Sequence, residues 1–244
     1  MIGAVTCFFR LAWTRSIAAI LLCLLILSGG AGCALFVKAL EAGGPPTEPP
    51  KYAGLAGHSV AVVIWAEENG VRIDWPRLNL DAAQMVQFKL QKIQKENKPK
   101  ELVLTRFPLS AASVARFQEE NPEWASQGME EIAPKLGVSR VIYIEIRSFQ
   151  TRADAAIELF RGTVTGSVSV IEVSGGKGRV AFSDDNIKIS YPKTSPEEGL
   201  PNIGDFAIYH GLLDGFTTEI AKLFVTHGND ADAEYSIPET DAAQ

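Results

Sequence analysis

The chain has 244 residues, a formal net charge of −6 and a pI near 5.2, with 46% hydrophobic and 21% charged residues. This composition is typical of a globular protein and excludes a disordered or fibrous one. The acidic balance excludes a nucleic-acid surface, which needs clustered cations to neutralise phosphates.

The chain opens with an apolar run, Ile17 to Leu27, that has the pattern of an export signal. Arg10 and Arg15 precede it, no acidic residue occurs before Glu41, and the run has the length of a signal h-region. We therefore predict a signal peptide over residues 1–32. Because positive charge before an apolar segment stays inside, the rest of the chain is expected outside the cytoplasmic membrane.

The run ends in Gly30-Ala31-Gly32-Cys33, which resembles the lipobox of bacterial lipoproteins. In that family the cysteine receives diacylglycerol and becomes the first residue of the mature protein. Ala31 and Gly32 fit the small residues that the processing enzymes need, whereas Gly30 stands where the family usually has an aliphatic residue. The resemblance implies a lipid anchor, of the palmitate-containing kind, at Cys33.

Two alternatives to lipidation stay open for this segment. The chain could be an ordinary secreted protein. It could also keep an uncleaved anchor, because only Lys38 is charged between Ile17 and Leu40, which is long enough for the ~20 apolar residues of a spanning helix. The glycines near Cys33 weaken a helix and favour cleavage.

Three further regions follow the signal. Residues 33–57 are predicted to form the lipid-attachment site and a linker, because four prolines and two glycines between Glu41 and Pro50 exclude a helix. Residues 58–227 are predicted to form one globular domain, and residues 228–244 an acidic, disordered tail.

The first half of the domain alternates strands and helices. The apolar run His58–Trp65 predicts a strand buried on both faces. The carboxylate of Asp81 is expected to cap the next helix in a capping box, with Lys89 on the solvated side. The remaining predicted elements are a short strand at Leu102–Phe107, helices at Ser110–Glu120 and Asn121–Leu136 with a kink at Pro134 and a cap at Gly137, and a strand at Val138–Ile146.

The second half changes to strands followed by one helix. Strict alternation from Gly162 to Val170 predicts a strand with one buried and one wet face. A turn at Ser174–Gly178, strands at Arg179–Phe182 and Ile187–Tyr191, and a helix at Asp205–Thr226 follow. The predicted fold class is therefore α/β (α+β): a three-layer-like mixed sheet, β-α-β-α-β followed by an antiparallel hairpin and a C-terminal helix.

This order resembles the periplasmic lipoprotein domains of a group that includes LpoB, the curli secretion lipoprotein and the amino-terminal domain of TolB. The matching segments are His58–Trp65, Ile132–Glu145 and Val168–Phe182. The similarity spans about Ser59 to Val225 and implies the fold more than the function. Ser139 replaces the family's aspartate after Leu-Gly-Val, and Glu145 replaces a common glycine.

Residues suited to catalysis or metal binding are few. The three histidines, His58, His210 and His227, are spaced for neither H-E-x-x-H nor H-x-x-E-H, and no cysteine follows Cys33. Gly175–Gly178 is read as a hairpin turn and not a phosphate loop, and Asp184–Asn186 as a solvated turn and not a Ca²⁺ loop. We predict no catalytic residue, metal or cofactor.

A possible ligand or partner edge follows the first strand. Glu67, Glu68, Asp74 and Trp75 come at its carboxyl end, where open sheets bind ligands. The alternative is that these acids are simply solvated. Aromatic side chains with interface potential are Trp65, Trp75, Trp124 and Tyr191, with core burial favoured for Trp65 and Trp124.

The sequence thus favours a non-enzymatic binding or assembly component, tethered on the outer side of the cytoplasmic membrane in the cell envelope. Expected partners are membrane lipid through Cys33 and another envelope protein, with a homo-oligomer left open. Two alternatives are an envelope hydrolase assembled from dispersed Ser, Asp and His residues and a self-associating structural subunit. A contact of His210 with a serine and an acid in one pocket would favour the hydrolase.

Overall fold

A computed structural model describes residues 47–66, 74–152, 160–193 and 204–228. The predicted signal, Cys33, Glu67, Glu68 and the acidic tail from residue 229 lie outside these ranges. The chain divides into two units, residues 1–47 and 48–244, and the four-stranded sheet and four helices belong to the second.

The helices and strands, in chain order, are β1 (Thr47–Glu48), β2 (Val60–Ala66), α1 (Leu78–Glu96), α2 (Ala111–Glu120), α3 (Met129–Ile132), β3 (Arg140–Gln150), β4 (Gly162–Ser174), β5 (Lys177–Tyr191), α4 (Asp205–Lys222) and β6 (His227–Gly228). Four of the strands form a mixed sheet in the order β2-β3-β4-β5. Strand β2 pairs in parallel with β3, and the other two pairings are antiparallel. The predicted α/β fold class is confirmed.

Helices cover both faces of β2, which explains its continuous apolar sequence. Val60, Val62 and Ile64 face a large core that includes residues of α1 and α4. Ala61 and Val63 face a smaller core built with α2, α3 and the short helical turns around them. The predicted burial on both faces is confirmed, yet β2 is an edge strand of the four-stranded sheet. Burial on both faces reflects the two helical layers and not a position between strands.

The predicted strand at Leu102–Phe107 is wrong. A 3₁₀ turn occupies Lys100–Leu102, and a single parallel bridge joins Ser59 to Arg106. The side-chain amide of Gln94 donates to the carbonyls of Leu102 (2.7 Å) and Thr105 (2.9 Å). These carbonyls are therefore bound by a side chain and not by a neighbouring strand.

The prediction for the start of α1 is also wrong. The helix begins at Leu78, so Asp81 lies in its first turn, where its carboxylate accepts a hydrogen bond from the Tyr209 hydroxyl (3.0 Å). Lys89 is not simply solvated, since its ammonium pairs with Asp214 on α4 (2.5 Å) and its side chain is 18% exposed. Both contacts join α1 to α4 and override the local patterns.

The helix predicted at Asn121–Leu136 is wrong, because the structure has the 3₁₀ turns Pro122–Ser126 and Ala133–Leu136 on either side of the four-residue α3. The helix predicted from Ser110 is confirmed as α2, with the Ser110 hydroxyl accepting from the Ser113 amide (3.1 Å), and the predicted cap Gly137 ends the second 3₁₀ turn with φ +67°. A two-residue turn at Gly175 and Gly176 joins β4 to β5. Strand β5 runs on through residues 184–186, where the sequence indicated a break. Within the described ranges, no helix is long and apolar enough to span a membrane.

Candidate functional site

A cleft of about 1010 Å³ lies at the carboxyl end of β2. Its walls come from the end of β2, the first turn of α1, and the end of α2 with the 3₁₀ turn Pro122–Ser126. The apolar lining includes Trp65, Ala66, Trp75, Leu78, Leu80 and Trp124, and the polar lining comprises Arg77, Asn79, Gln118 and Glu119. A largely apolar cleft with a few polar groups is the usual form of a binding site.

The three tryptophans of this cleft are each held by another aromatic ring. Trp65 and Trp124 meet edge to face, with ring centroids 5.2 Å apart. Trp75 stacks on Tyr209 at 4.6 Å and also lies near Phe149. Such ring pairs add stabilisation beyond area burial. The aromatic walls are therefore preformed, which lowers the entropy cost of binding.

The polar side chains of the cleft differ in whether they already have hydrogen-bond or ionic partners within the protein. Gln118 donates from its side-chain amide to the carbonyl of Ile64 (3.1 Å) and so covers part of the open edge of β2. Arg77 is 74% exposed and lies 3.4 Å from Asp81. The side-chain oxygen of Asn79 is buried and has no hydrogen-bond partner among the described residues. Asn79 therefore offers an acceptor to a bound donor, since buried polar atoms are normally paired.

Tyr209 supports the cleft from beneath Trp75. Burial, together with the hydrogen bond to Asp81, raises the pKa of the Tyr209 hydroxyl above its ordinary value. The hydroxyl stays neutral and keeps donating to Asp81, because burial disfavours the phenolate. This bond ties α4 to the first turn of α1, which carries Arg77, Leu78 and Asn79 at its start.

The predicted partner edge meets this cleft in part. Trp75 is half-buried and lines it, and Asp74 is exposed one residue earlier. Glu67 and Glu68 lie outside the described residues, as does Cys33. Of the other aromatics, Trp124 is 5% exposed, as favoured. Trp65, for which core burial was also favoured, is only half-buried, and Tyr191 is 3% exposed and serves the core.

Sequence reasoning missed Arg77, Asn79 and Gln118. Asn79 and Gln118 lie on different helices, and nothing in their local patterns indicates a shared site. The one available signal was the turn that holds Trp75, Pro76 and Arg77 directly after the predicted edge. The end of β2, the start of α1 and the end of α2 meet at one cleft only in the tertiary fold.

A second polar cluster lies at the opposite end of β2. The Nδ1 atom of His58 is 3.2 Å from the Ser139 hydroxyl, and its Nε2 atom is 3.2 Å from a guanidinium nitrogen of Arg140. A guanidinium can only donate, so Nε2 accepts and the proton of the neutral ring is assigned to Nδ1, which donates to Ser139. A general base would instead accept the proton of the serine hydroxyl at an unprotonated ring nitrogen. The direction of this hydrogen bond is therefore the reverse of what a serine nucleophile requires.

Glu172 extends the same cluster. It accepts hydrogen bonds from the Tyr52 hydroxyl (3.1 Å) and Arg179 (2.9 Å) and lies 3.5 Å from Arg140. Burial acts to raise the pKa of Glu172, but the hydrogen bond from Tyr52 and the charges of Arg140 and Arg179 outweigh it, so that the pKa is lowered. Burial and the bond to Glu172 raise the pKa of Tyr52. The cluster fixes Tyr52 against the sheet.

The other histidines have different surroundings. His210 is exposed, and its ring packs edge-on against Phe206 at 4.2 Å. Among the described residues His210 makes no hydrogen bond to a serine or an acid. His227 lies 3.7 Å from Glu48. The described part of the chain also holds no group of three or more His, Cys, Asp or Glu residues placed to bind a metal.

Comparison with known proteins gives distant structural similarities alone. No protein-family model and no curated protein matches the chain. PelC from Paraburkholderia phytofirmans, solved as a dodecamer, is 13% identical with a TM-score of 0.37, covering 74% of this chain and 96% of PelC. Lipoprotein GNA1162 from Neisseria meningitidis is 14% identical with a TM-score of 0.37, covering 67% of this chain and 97% of its own. The hypothetical protein CT253 from Chlamydia trachomatis is 16% identical, with a TM-score of 0.34, and covers 55% of this chain and 73% of its own.

Proposed function

We propose that this chain is a membrane-tethered lipoprotein of the bacterial envelope whose domain binds a segment of another envelope protein in the cleft at the end of β2. The export signal and Cys33 supply the tether. We include in this proposal membership of the LpoB-like group, which the order of the sequence elements suggested. The domain acts as a binding or assembly component and not as an enzyme.

The observation that carries this proposal is the aromatic cleft itself. Three tryptophans line it, and tryptophan is enriched at interface hot spots. The unpartnered oxygen of Asn79 would accept a backbone N–H of the bound segment, and exposed Arg77 and Glu119 would contact polar side chains at the rim. An extended peptide with an apolar side chain fits this arrangement, because it supplies both an N–H donor and a group for the apolar walls.

The geometry of the polar groups supports binding better than hydrolysis. The described cleft residues include no histidine or serine, and the His58–Ser139 pair carries its proton in the wrong direction for base catalysis. Envelope hydrolysis therefore receives no support from a specific arrangement of the described residues.

Photo-crosslinking in the native envelope tests the proposal. A photoreactive phenylalanine at Leu80, inside the cleft, is expected to give one defined adduct, whereas the same probe at exposed Lys188 is not. Ala125→Arg places a long charged side chain in the cleft from an exposed position and should abolish the adduct. Ala112→Arg, an equally exposed site on α2 outside the cleft lining, should leave it unchanged.

The adduct also identifies the partner. A product of twice the chain's mass would show a second copy of this chain, and a heterologous product would show another envelope protein. An adduct that survives Ala125→Arg, while both arginine variants unfold at the wild-type temperature, would contradict the cleft as the binding site.

A further inference from the structure

The loop formed by residues 98–106 exposes apolar side chains that the fold does not use. Leu104 is 76% exposed and Val103 is 48% exposed. Both lie near the amino-terminal end of β2, since the carbonyl of Val103 accepts from the amide of Gly57 (2.8 Å). An exposed leucine contributes little burial, so its presence is not explained by core packing.

The backbone of Leu104 is also in an unfavourable conformation. Its φ is +58°, in the left-handed region that bulky residues avoid. The neighbouring residues hold it there: Gln94 binds the carbonyls of Leu102 and Thr105, and the Thr105 hydroxyl donates to the carbonyl of Leu55 (2.8 Å). Strain of this kind at an exposed side chain indicates a functional surface.

Positive charge surrounds the two apolar residues. Lys98, Lys100 and Arg106 are all exposed. Glu101, the acid within the loop, is 4% exposed and accepts a hydrogen bond from Thr226 (2.9 Å). The exposed charges of the loop are thus all positive, although the chain as a whole has a net charge of −6.

The loop lies beside the point where the tether joins the domain. Glu48 is 3.7 Å from His227, and the adjacent Thr226 binds Glu101 of the loop. Residues 34–47 separate Cys33 from Glu48. Fully extended, this stretch spans at most about 50 Å, so a lipidated Cys33 limits Glu48 to within that distance of the membrane surface.

We propose that the 98–106 loop is a membrane-contact surface. Val103 and Leu104 enter the interfacial region of the bilayer, and Lys98, Lys100 and Arg106 bind the phosphates of anionic headgroups. An apolar tip among cations is the combination that favours an anionic lipid surface. The inference rests on the membrane tether of the proposed function, and it adds the orientation of the domain on that membrane.

Hydroxyl-radical labelling of the full chain tests this surface, because it reports the exposure of individual leucine and phenylalanine side chains. The chain is reconstituted into vesicles of phosphatidylcholine, with or without one quarter phosphatidylglycerol. Labelling of Val103 and Leu104 is expected to fall about fivefold with phosphatidylglycerol present, relative to the chain in solution. Phe206 is 70% exposed and lies in the first turn of α4, beside Asp205, which bonds Thr151 just after the carboxyl end of β3. Its labelling should therefore not change.

Two sets of substitutions test the apolar side chain and the positive charges of the loop separately. Leu104→Asn keeps a residue that tolerates positive φ and should restore the labelling of Val103, whereas Phe206→Asn should not. Reversing two exposed charges with Lys100→Glu and Arg106→Glu should remove the effect of phosphatidylglycerol.

The outcomes separate the two proposals. A full chain that stays in the supernatant when vesicles are sedimented would overturn both the tether and the contact surface. If the chain sediments but Leu104 is labelled as strongly as in solution, the contact surface alone is overturned. The exposed loop would then be a candidate site for a protein partner. Protection that survives charge reversal would overturn the role given to the headgroups.

Discussion

Single polar side chains set the positions of elements that are far apart in the sequence. The Asp81 carboxylate on α1 accepts from Tyr209 on α4, and Lys89 reaches Asp214 across the same two helices. At the start of α4, Asp205 accepts from Thr151 (2.7 Å) and from the guanidinium of Arg152, just after β3. Each contact joins a helix to a neighbour that local sequence patterns do not specify.

Asp205 should make the stability of the domain depend on acid pH. The hydrogen bond from Arg152 lowers the pKa of Asp205, against the opposing effect of burial. A lowered folded-state pKa adds stability above the unfolded value of about 4, and this is lost as the pH falls through the folded value. Asp205→Asn should lower the free energy of unfolding at pH 7 by about 0.5–1 kcal/mol, the modest figure for a partly exposed pair.

Urea unfolding at a series of pH values checks this expectation. The difference between wild type and Asp205→Asn should shrink between about pH 5 and pH 3. Asp185→Asn is the matched control, because Asp185 is 71% exposed and lies 3.7 Å from Arg147, and its effect should be small throughout. A difference for Asp205→Asn that stays constant with pH would contradict the ionic explanation.

At the scale of elements, close approach in the sheet depends on a glycine in β4. Gly166 lies opposite Ile146, next to the irregularity in β3 between Ile146 and Ser148, and the register between β4 and β5 shifts just after it. A Cβ atom at this position would overlap the carbonyl oxygen of Glu145 and lie 2.9 Å from a ring carbon of Phe216 on α4. The glycine thus lets β3, β4 and α4 pack together.

Gly166→Ala should therefore destabilise the domain by about 2–3 kcal/mol, because a backbone oxygen cannot move aside as a flexible side chain can. Gly204→Ala is the control, since no heavy atom lies within 4 Å of its added Cβ, and it should cost less than about 1 kcal/mol. Thermal unfolding by circular dichroism measures both. Equal midpoints for the two variants would show that the strands relax around the added methyl group.

At the scale of the molecule, the two ends of β2 have different character. The carboxyl end opens into the tryptophan-lined cleft, and the amino-terminal end carries the His58–Arg140–Glu172 cluster and the 98–106 loop near Glu48. If the 98–106 loop contacts lipid, as proposed, this end of the domain faces the membrane and the cleft faces away from it. The cleft would then bind a partner protein at a distance from the membrane that is set by the length of the domain.

The proposed lipid tether at Cys33 predicts the form of the mature chain. Mass spectrometry of the protein purified from membranes should find an N-terminal Cys33 that carries diacylglycerol. Cys33→Ser should abolish acylation, whereas Cys23→Ser, which changes a cysteine inside the apolar run, should leave it intact. A wild-type chain that still starts at Met1 would favour the uncleaved anchor, and an unmodified mature chain would favour ordinary secretion.

The sequence by itself determined the features that depend on neighbouring residues. Alternation in β4, the start of α2 after Ser110, the cap at Gly137 and the turn at Gly175 and Gly176 each follow from the chemistry of a few adjacent positions. The export signal is likewise a local pattern, and it stays a prediction from sequence.

The tertiary structure decided what depends on distant residues. It placed β2 first in the sheet, it replaced a strand near Thr105 by an irregular segment bound to Gln94, and it brought Trp65 and Trp124 into one wall of the cleft. These results depend on side chains that compete for backbone hydrogen bonds and on helices that meet across the sheet. Periodicity along the chain records which face of an element is buried, but not which element will cover it.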